Sequence, residues 1–459
     1  MKQEESPLVS VYIVNHNYGK YLDQSITSVL NQTFKNFEII FIDNGSKDNS
    51  KEKLERFYAN KKIKIVLQEN IGLNAANNVA LRFARGKYIM RLDADDYLDK
   101  NALEIMSALL EKNKDIGMVF PDYFIVDENG DILNLMRRHD FSEVELFDQP
   151  AHGACSMVRR EYLESIGGYD ESYHCQDGWD LWVKLIKKYG VENINLPLFF
   201  YRQHSDNLSK NEKMLLSTRA KILKKNAQTT KKVESCLAVI PIRGTGLDKS
   251  SLALKKLGNK LVVDWTIDSA LEAERISDVI VTTPDENLIK HIKKKYSRRI
   301  KIYKRDWKMA KFGVTLDKAL TDLFNNLPKN SSHFQSVCIL YIEYPFRDSK
   351  YIDMSLDTMD VFETERVISM RSMHNTLYKH SGKGMLPAQN SYFVKQEKDE
   401  FFAESGGIYL VKRGSMLRDS YQDKKIGHIN VDEISGLDIN SKFGWEMAKI
   451  ISKKNNPKL

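Results

Sequence analysis

Residues 86–98 read GKYIMRLDADDYL. Tyr88, Ile89 and Met90 form an apolar run suited to a buried strand, and Asp93, Asp95 and Asp96 then place three carboxylates within four positions at its end. Charges of one sign repel at that spacing, so either a cation sits among them or the turn is fully solvated. A hard divalent cation such as Mg2+ or Mn2+ prefers oxygen ligands and often bridges one or two carboxylates to substrate phosphates. The plainer account is an exposed turn with Asp at its favoured positions. What surrounds the stretch decides between them.

Upstream, VSVYIVNHNYGKYLDQSITSVLNQ opens with a strand pattern over 9–14, passes a polar loop at 15–19 and continues with Ile26, Val29 and Leu30 at helical spacing. FEIIFID at 37–43 and KIKIVLQ at 62–68 read as further strands, with helical patterns at 50–58 and 74–84 between them and the acidic stretch. Alternation of this kind implies a mainly parallel sheet with crossover helices. Ligands of such sheets gather at the carboxyl ends of the strands. Asn15, Asp43 and Asp93 each follow an apolar strand, so they are expected at one rim.

A second beginning of the same kind lies at Cys236, in CLAVIPIRGTGLDKSSLALKKLGNKLVVDWTIDSAL, and DVIVTT, VCILYIEYPF, VISMRS and GGIYLVKR follow as strands. At 459 residues the chain exceeds one ordinary core. The reading is α/β, with two Rossmann-like nucleotide-binding domains at 1–208 and 233–459. A basic helix and linker at 209–232 joins them, with the boundary near 230. Met214, Leu215, Leu216, Ile222 and Leu223 on that helix either pack on the first domain or dip into a membrane surface.

With 70 Lys plus Arg against 62 Asp plus Glu, the formal charge is +8, which favours anionic small molecules or an anionic membrane face over nucleic acid. No run of eighteen apolar residues occurs and the start, MKQEESP, is polar, so a cytoplasmic protein is expected, with peripheral contact at the inner membrane face as the variant. Cys155, Cys175, Cys236 and Cys338 lack paired metal spacing and read as reduced, buried thiols.

The segments VSVYIVNHNYGKYLDQSITSVLNQTF, FEIIFIDNGSKDNS, ENIGLNAANNVALRFARGKYIMRLDADD, GGYDESY, QDGWDLWVKL and YRQHSDNLS occur in this order. Together they resemble the family 2 glycosyltransferases, which have the GT-A fold. The resemblance implies that Asp43 contacts the donor base, that the loop at Asn15 holds the nucleoside, and that Gly72 and Asn74 belong to the nucleotide-sugar site. It implies that Asp93 touches ribose or metal, that Asp95 ligates Mn2+ or Mg2+, and that His204 reaches the metal or diphosphate. Asn77 stands where the family often has Arg, while Gly72 and Asn78 follow the pattern. Partners would be a nucleotide-sugar donor and a glycan or lipid-linked acceptor.

Transfer needs a base for the acceptor hydroxyl, and a carboxylate near it and partly desolvated serves best. Asp177, in HCQDGWDLWVKL, has Trp179, Leu181 and Trp182 around it and matches the family base by resemblance, with Asp180 as the acid that follows. Capping of a helix N-terminus is the plainer role for both. Inversion at the anomeric carbon is carried from the family.

From about residue 233, AVIPIRGTGLDKSSLALKKLGNKLVVDWTIDSAL, DVIVTTPDENLI, YPFRDSKYID, ESGGIYLVKR and GLDINSKFGWEMA resemble the cytidylyltransferases that make CMP-sialic acid and related CMP-sugars. Arg243, Gly244 and Gly246 are kept, Lys249 is the replacement for a missing family Lys, and Asp438 remains of an acidic pair whose second member is Asn440. Gly444 replaces a further family Asp. The loss of ligands points to a degenerate domain, by resemblance a site of homodimer formation. A bifunctional enzyme that also activates a nonulosonic acid with CTP, and a non-catalytic scaffold for glycan assembly, are the alternatives.

Overall fold

The structure, a computed structural model, describes residues 6–137, 144–204, 212–228, 235–246, 248–311, 313–327, 334–373, 377–387, 401–416 and 425–454. Two compact units result: Met1–Arg219 with Thr376–Asp399, and Ala220–Asn375 with Glu400–Leu459. The expected boundary near 230 and part of the linker fall outside the described residues. Among those described, no helix is long and apolar enough to cross a membrane.

In the first unit, strands β1 (Val9–Asn15), β2 (Phe37–Asn44), β3 (Ile63–Gln68) and β4 (Tyr88–Asp93) pair in parallel in the order β3-β2-β1-β4. Every residue of β1 and β2 is buried, as strands covered on both faces require, whereas edge strand β3 is only partly covered. Helix α1 (Leu22–Leu30) turns Leu22, Ile26 and Val29 into this core. The helix expected over 50–58 is shorter, α2 (Ser50–Leu54), and closes in a tighter turn at Glu55–Phe57. Helix α3 (Leu73–Phe83) then leads into β4.

Beyond β4 the sheet is mixed, a departure from the mainly parallel expectation. After β5 (Tyr97–Leu98) and α4 (Ala102–Lys112) come β6 (Ile116–Val126), β7 (Ile132–Met136), β8 (Met157–Arg159), α5 (Arg160–Ser165), α6 (Asp177–Ile186) and β9 (Gly190–Arg202). The order continues β4-β8-β6-β9-β5, with β8 antiparallel to both neighbours. Helix α7 (Glu212–Ala227) follows; Leu216, Ile222 and Leu223 on it are buried.

The second unit builds β10 (Cys236–Pro241), the hairpin β11 (Lys256–Leu257) and β12 (Lys260–Leu261), α8 (Val262–Glu272), β13 (Asp278–Thr283), α9 (Glu286–Tyr296), β14 (Lys301–Lys304), α10 (Leu316–Asn326) and β15 (Ser336–Leu340). Then come α11 (Ser349–Phe362), β16 (Arg366–Met373), β19 (Phe401–Lys412), β20 (Ile426–Asn430) and α12 (Lys442–Lys454); the short pair β17 (Tyr378–His380) and β18 (Met385–Pro387), in the segment that clusters with the first unit, lies between β16 and β19. Its sheet runs β14-β13-β10-β15-β19-β16-β20, parallel as far as β15.

Candidate active site

Strand register brings the expected rim together: Asn15 lies opposite Asp43, and Val14 opposite Asp93. The turn after β4 places one carboxylate oxygen each of Asp93, Asp95 and Asp96 within 4.8 Å of one another. Asp95 and Asp96 are buried, which is not the solvated turn of the plainer account. Asp96 accepts the Arg202 backbone N–H at 2.8 Å, and its Oδ2 is buried with no hydrogen-bond partner. Burial, reinforced by Asp95 and Asp93, pushes the Asp96 carboxyl well above the ordinary range. Such a set of close oxygens, one of them unsatisfied, fits a hard divalent cation.

His204 joins this cluster, with Nε2 2.9 Å from Asp95 Oδ2 and its ring between Tyr18 and Tyr21 at centroid distances of 5.5 and 5.6 Å. Arg202, two residues earlier, is fully buried and holds the turn: Nε donates to the Asp95 carbonyl at 2.8 Å and a terminal nitrogen to Gln24 Oε1 at 2.6 Å.

The residue that sequence reasoning passed over is Arg91. It is buried on β4, donates from Nε to Asp93 Oδ1 at 2.6 Å, and pairs through a terminal nitrogen with Asp177 Oδ2. Burial works against its charge, but Asp177 and Asp93 outweigh that and hold the guanidinium firmly protonated. Beside it, the Tyr12 and Tyr169 hydroxyls meet at 2.5 Å, and burial pushes Tyr169 up to about 12. The only sequence signal was an Arg inside a strand that otherwise reads as buried, where a charge needs a partner.

Asp177 opens α6, whose preceding residue Gln176 has φ of +62°. The turn is close-packed: a Cβ on Gly178 would lie 2.7 Å from the Gly153 Cα, so the two backbones touch there. Asp177, Arg91, Asp93 and Asp95 line one cavity of about 350 Å³, together with His152, Trp179 and Tyr201. Trp182 is turned elsewhere, its Nε1 donating to the Phe147 carbonyl at 2.7 Å.

Asn15 and Asp43 form a knot under the loop: Asn15 Nδ2 donates to Asp43 Oδ1 at 3.1 Å and to Ser46 and Ser50 Oγ at 2.9 Å each. Asp43 Oδ2 is buried without a partner. Gly72, at φ +88°, precedes α3 with open space where a side chain would stand. Asn74 does not line the cavity, although Leu73 beside it does; its amide donates to the carbonyls of Asp170 and Tyr173 at 2.7 and 3.0 Å, and its Oδ1 is buried without a partner. Asn78 holds the same loop through the Tyr169 backbone.

The second unit has a cavity of about 300 Å³ at the carboxyl ends of β10, β14 and β15. Arg243, Arg305, Asp248, Glu343 and Asn440 line it, whereas Lys249 and Gly246 are exposed and absent from its lining, as is Asp438. Gly244 is locked at φ +79° against Asp285, and Leu247 lies outside the described residues. Arg305 is buried, with one terminal nitrogen 3.2 Å from the Ile242 carbonyl and Nε without a partner. Burial, and then Arg243, pull its pKa down.

Residues 10–167 match the family described as Glycosyl transferase family 2. An uncharacterized glycosyltransferase of Methanocaldococcus jannaschii is 33% identical over 208 residues, covering 43% of this chain and 71% of that protein. The chondroitin synthase of Pasteurella multocida is 30% identical over 205 residues, which is 44% of this chain but only 21% of that enzyme. A mannosyltransferase of Pyrobaculum calidifontis, solved with GDP-Man and Mn2+, overlaps 50% of this chain and 66% of its own at 16% identity and a TM-score of 0.39, a slight likeness. This chain belongs to glycosyl transferase family 2, through its first unit.

Proposed function

We propose that the first unit moves a hexosyl group from a nucleotide-sugar donor to a hydroxyl of a glycan or carrier-linked acceptor, in surface polysaccharide or glycoconjugate synthesis, with inversion by single displacement. The observation that carries this reading is the meeting, around one cavity, of the buried acidic cluster with Asp177. Asp93, Asp95 and His204, with Asp96 behind them, would hold Mn2+ or Mg2+, whose charge when bound stabilises a departing diphosphate. Asn15 and Asp43 would take the nucleoside. Asp177 would have the role of base: Arg91 fixes Oδ2, which leaves Oδ1 to receive the acceptor proton.

The second unit is read as one that binds a nucleotide or sugar without activating it. Arg305, with a buried nitrogen lacking a partner, supports the binding of an anion. Against turnover stand the neutral Asn440 and Gly444, where a Cβ would fall 1.9 Å from the Asp438 carbonyl oxygen, leaving no room for a third acid. Pyrophosphate release from CTP plus a nonulosonic acid would overturn this.

The test uses the full chain with UDP-, GDP- and CMP-sugars, in Mn2+ or in EDTA. Donor hydrolysis is expected with one nucleotide class and only with metal. Asp177→Asn should lower transfer by about 10² to 10⁴-fold while donor binding, read by thermal shift, persists. Asp95→Ala should lose the metal-dependent donor binding. Normal turnover by the Asp177→Asn protein sinks the base assignment.

A further inference from the structure

The cavity of the first unit holds two guanidinium groups in different electrical circumstances. Arg91 is neutralised between Asp93 and Asp177. Arg219, on α7 and beyond the family segment, lines the same cavity, and among the described residues no carboxylate pairs with it. Its Nε and a terminal nitrogen reach the neutral Gln176 Oε1 at 3.4 and 3.3 Å, and the group lies 5.2 Å over the Trp179 ring. Burial pulls its pKa below the ordinary arginine range. Arg219 is half-buried, and a cation partly withdrawn from water with no counter-ion among the described residues is held at a cost, so its retention on a cavity wall calls for a ligand that repairs the deficit.

The position of Arg219 says which ligand. Gln176, its hydrogen-bond partner, directly precedes Asp177, whereas the part suited to a cation-bound diphosphate is the turn at 93–96. On the reading of Asp177 given above, an anion held by Arg219 lies beside the group that takes the acceptor's proton. The planar fork of a guanidinium matches carboxylate and phosphate oxygens in pairs, and Trp179 and Gln176 limit its freedom. We propose that Arg219 is a specificity residue that binds an oxyanion carried by the acceptor close to its reacting hydroxyl. The oxyanion is either the carboxylate of a uronosyl residue or the phosphate of a carrier.

Isothermal titration of the full chain with methyl glucuronide, glycerol 3-phosphate and the neutral methyl glucoside tests this without turnover. One charged probe should bind about tenfold or more tightly than the neutral one, and its identity names the source of the oxyanion. That preference should shrink as NaCl is raised, vanish in Arg219→Gln and survive in part in Arg219→Lys, with melting curves confirming that both are folded. Equal binding of the three probes by the unaltered protein, or a preference that Arg219→Gln leaves intact, overturns the proposal. A protein that prefers the charged probe yet transfers no sugar would sink the transferase reading and spare this one; a transferase indifferent to probe charge would do the reverse.

Discussion

The first and second units both end parallel strands in a cavity, yet one rim gathers acids and the other sets two arginines among two acids. Around β4 stand Asp93, Asp95 and Asp96, with Asp177 tied to them by a single buried arginine. Around β10, β14 and β15 stand Arg243 and Arg305 with Asp248 and Glu343, and the Glu343 carboxyl is raised by burial and so carries its negative charge less readily. Topology therefore supplies the place where a ligand sits, and the charge of a few side chains decides its kind. An acidic rim needs a cation before it can meet a diphosphate, whereas Arg305, whose buried Nε lacks a partner, can take an anion directly.

The same kind of substitution at the two rims should act with opposite sign. Arg91→Leu strands two carboxylates in the first unit, and breaking a buried pair of this sort costs about 3–5 kcal/mol. Denaturant unfolding should show it, and a loss below about 1 kcal/mol would mean that Arg91 does not hold the rim together. Arg305→Met removes a buried cation whose Nε has no partner. That change should be neutral or stabilising, by up to about 2 kcal/mol. A destabilisation as large as that at Arg91 would erase the distinction between the rims.

Much of the acidic rim was legible in the sequence because it rests on position along strands. Asn15, Asp43 and Asp93 follow fully buried apolar runs, and period and register bring them together whatever the side chains do next. The order of strands beyond β4 was not legible, because β8 is three residues long and pairs antiparallel with β4 and β6, a matter of tertiary packing. Arg91 escaped notice because its partners lie 2 and 86 residues away, and the second is visible only once α6 is placed. The tie of the Asn74 amide nitrogen to carbonyls 96 and 99 residues on needed coordinates, as did its Oδ1, buried without a partner. In the second unit the position of Gly444 showed a missing acid, while the carbonyl that forbids one there needed coordinates.

The smallest expected effect bears on the cation proposed for the acidic rim. Asp96 is buried and its carboxyl is held well above the ordinary range by that burial and by Asp95 and Asp93, so the folded chain keeps a proton that the unfolded chain has already released. Folded protein then binds more protons than unfolded, and stability falls as pH rises through the interval between the ordinary carboxylate pKa and the raised one. The slope from a single group cannot exceed about 1.4 kcal/mol per pH unit. In EDTA, the difference between the unaltered protein and Asp96→Asn should show this fall, since the amide carries no proton to lose. Adding Mn2+ should flatten it, because a cation beside Asp96 favours the ionised form that burial disfavours. If the difference instead rises with pH in EDTA, burial does not hold the proton on Asp96; if Mn2+ leaves the fall unchanged, Asp96 faces no cation and the acidic rim is no more a metal site than the rim of the second unit.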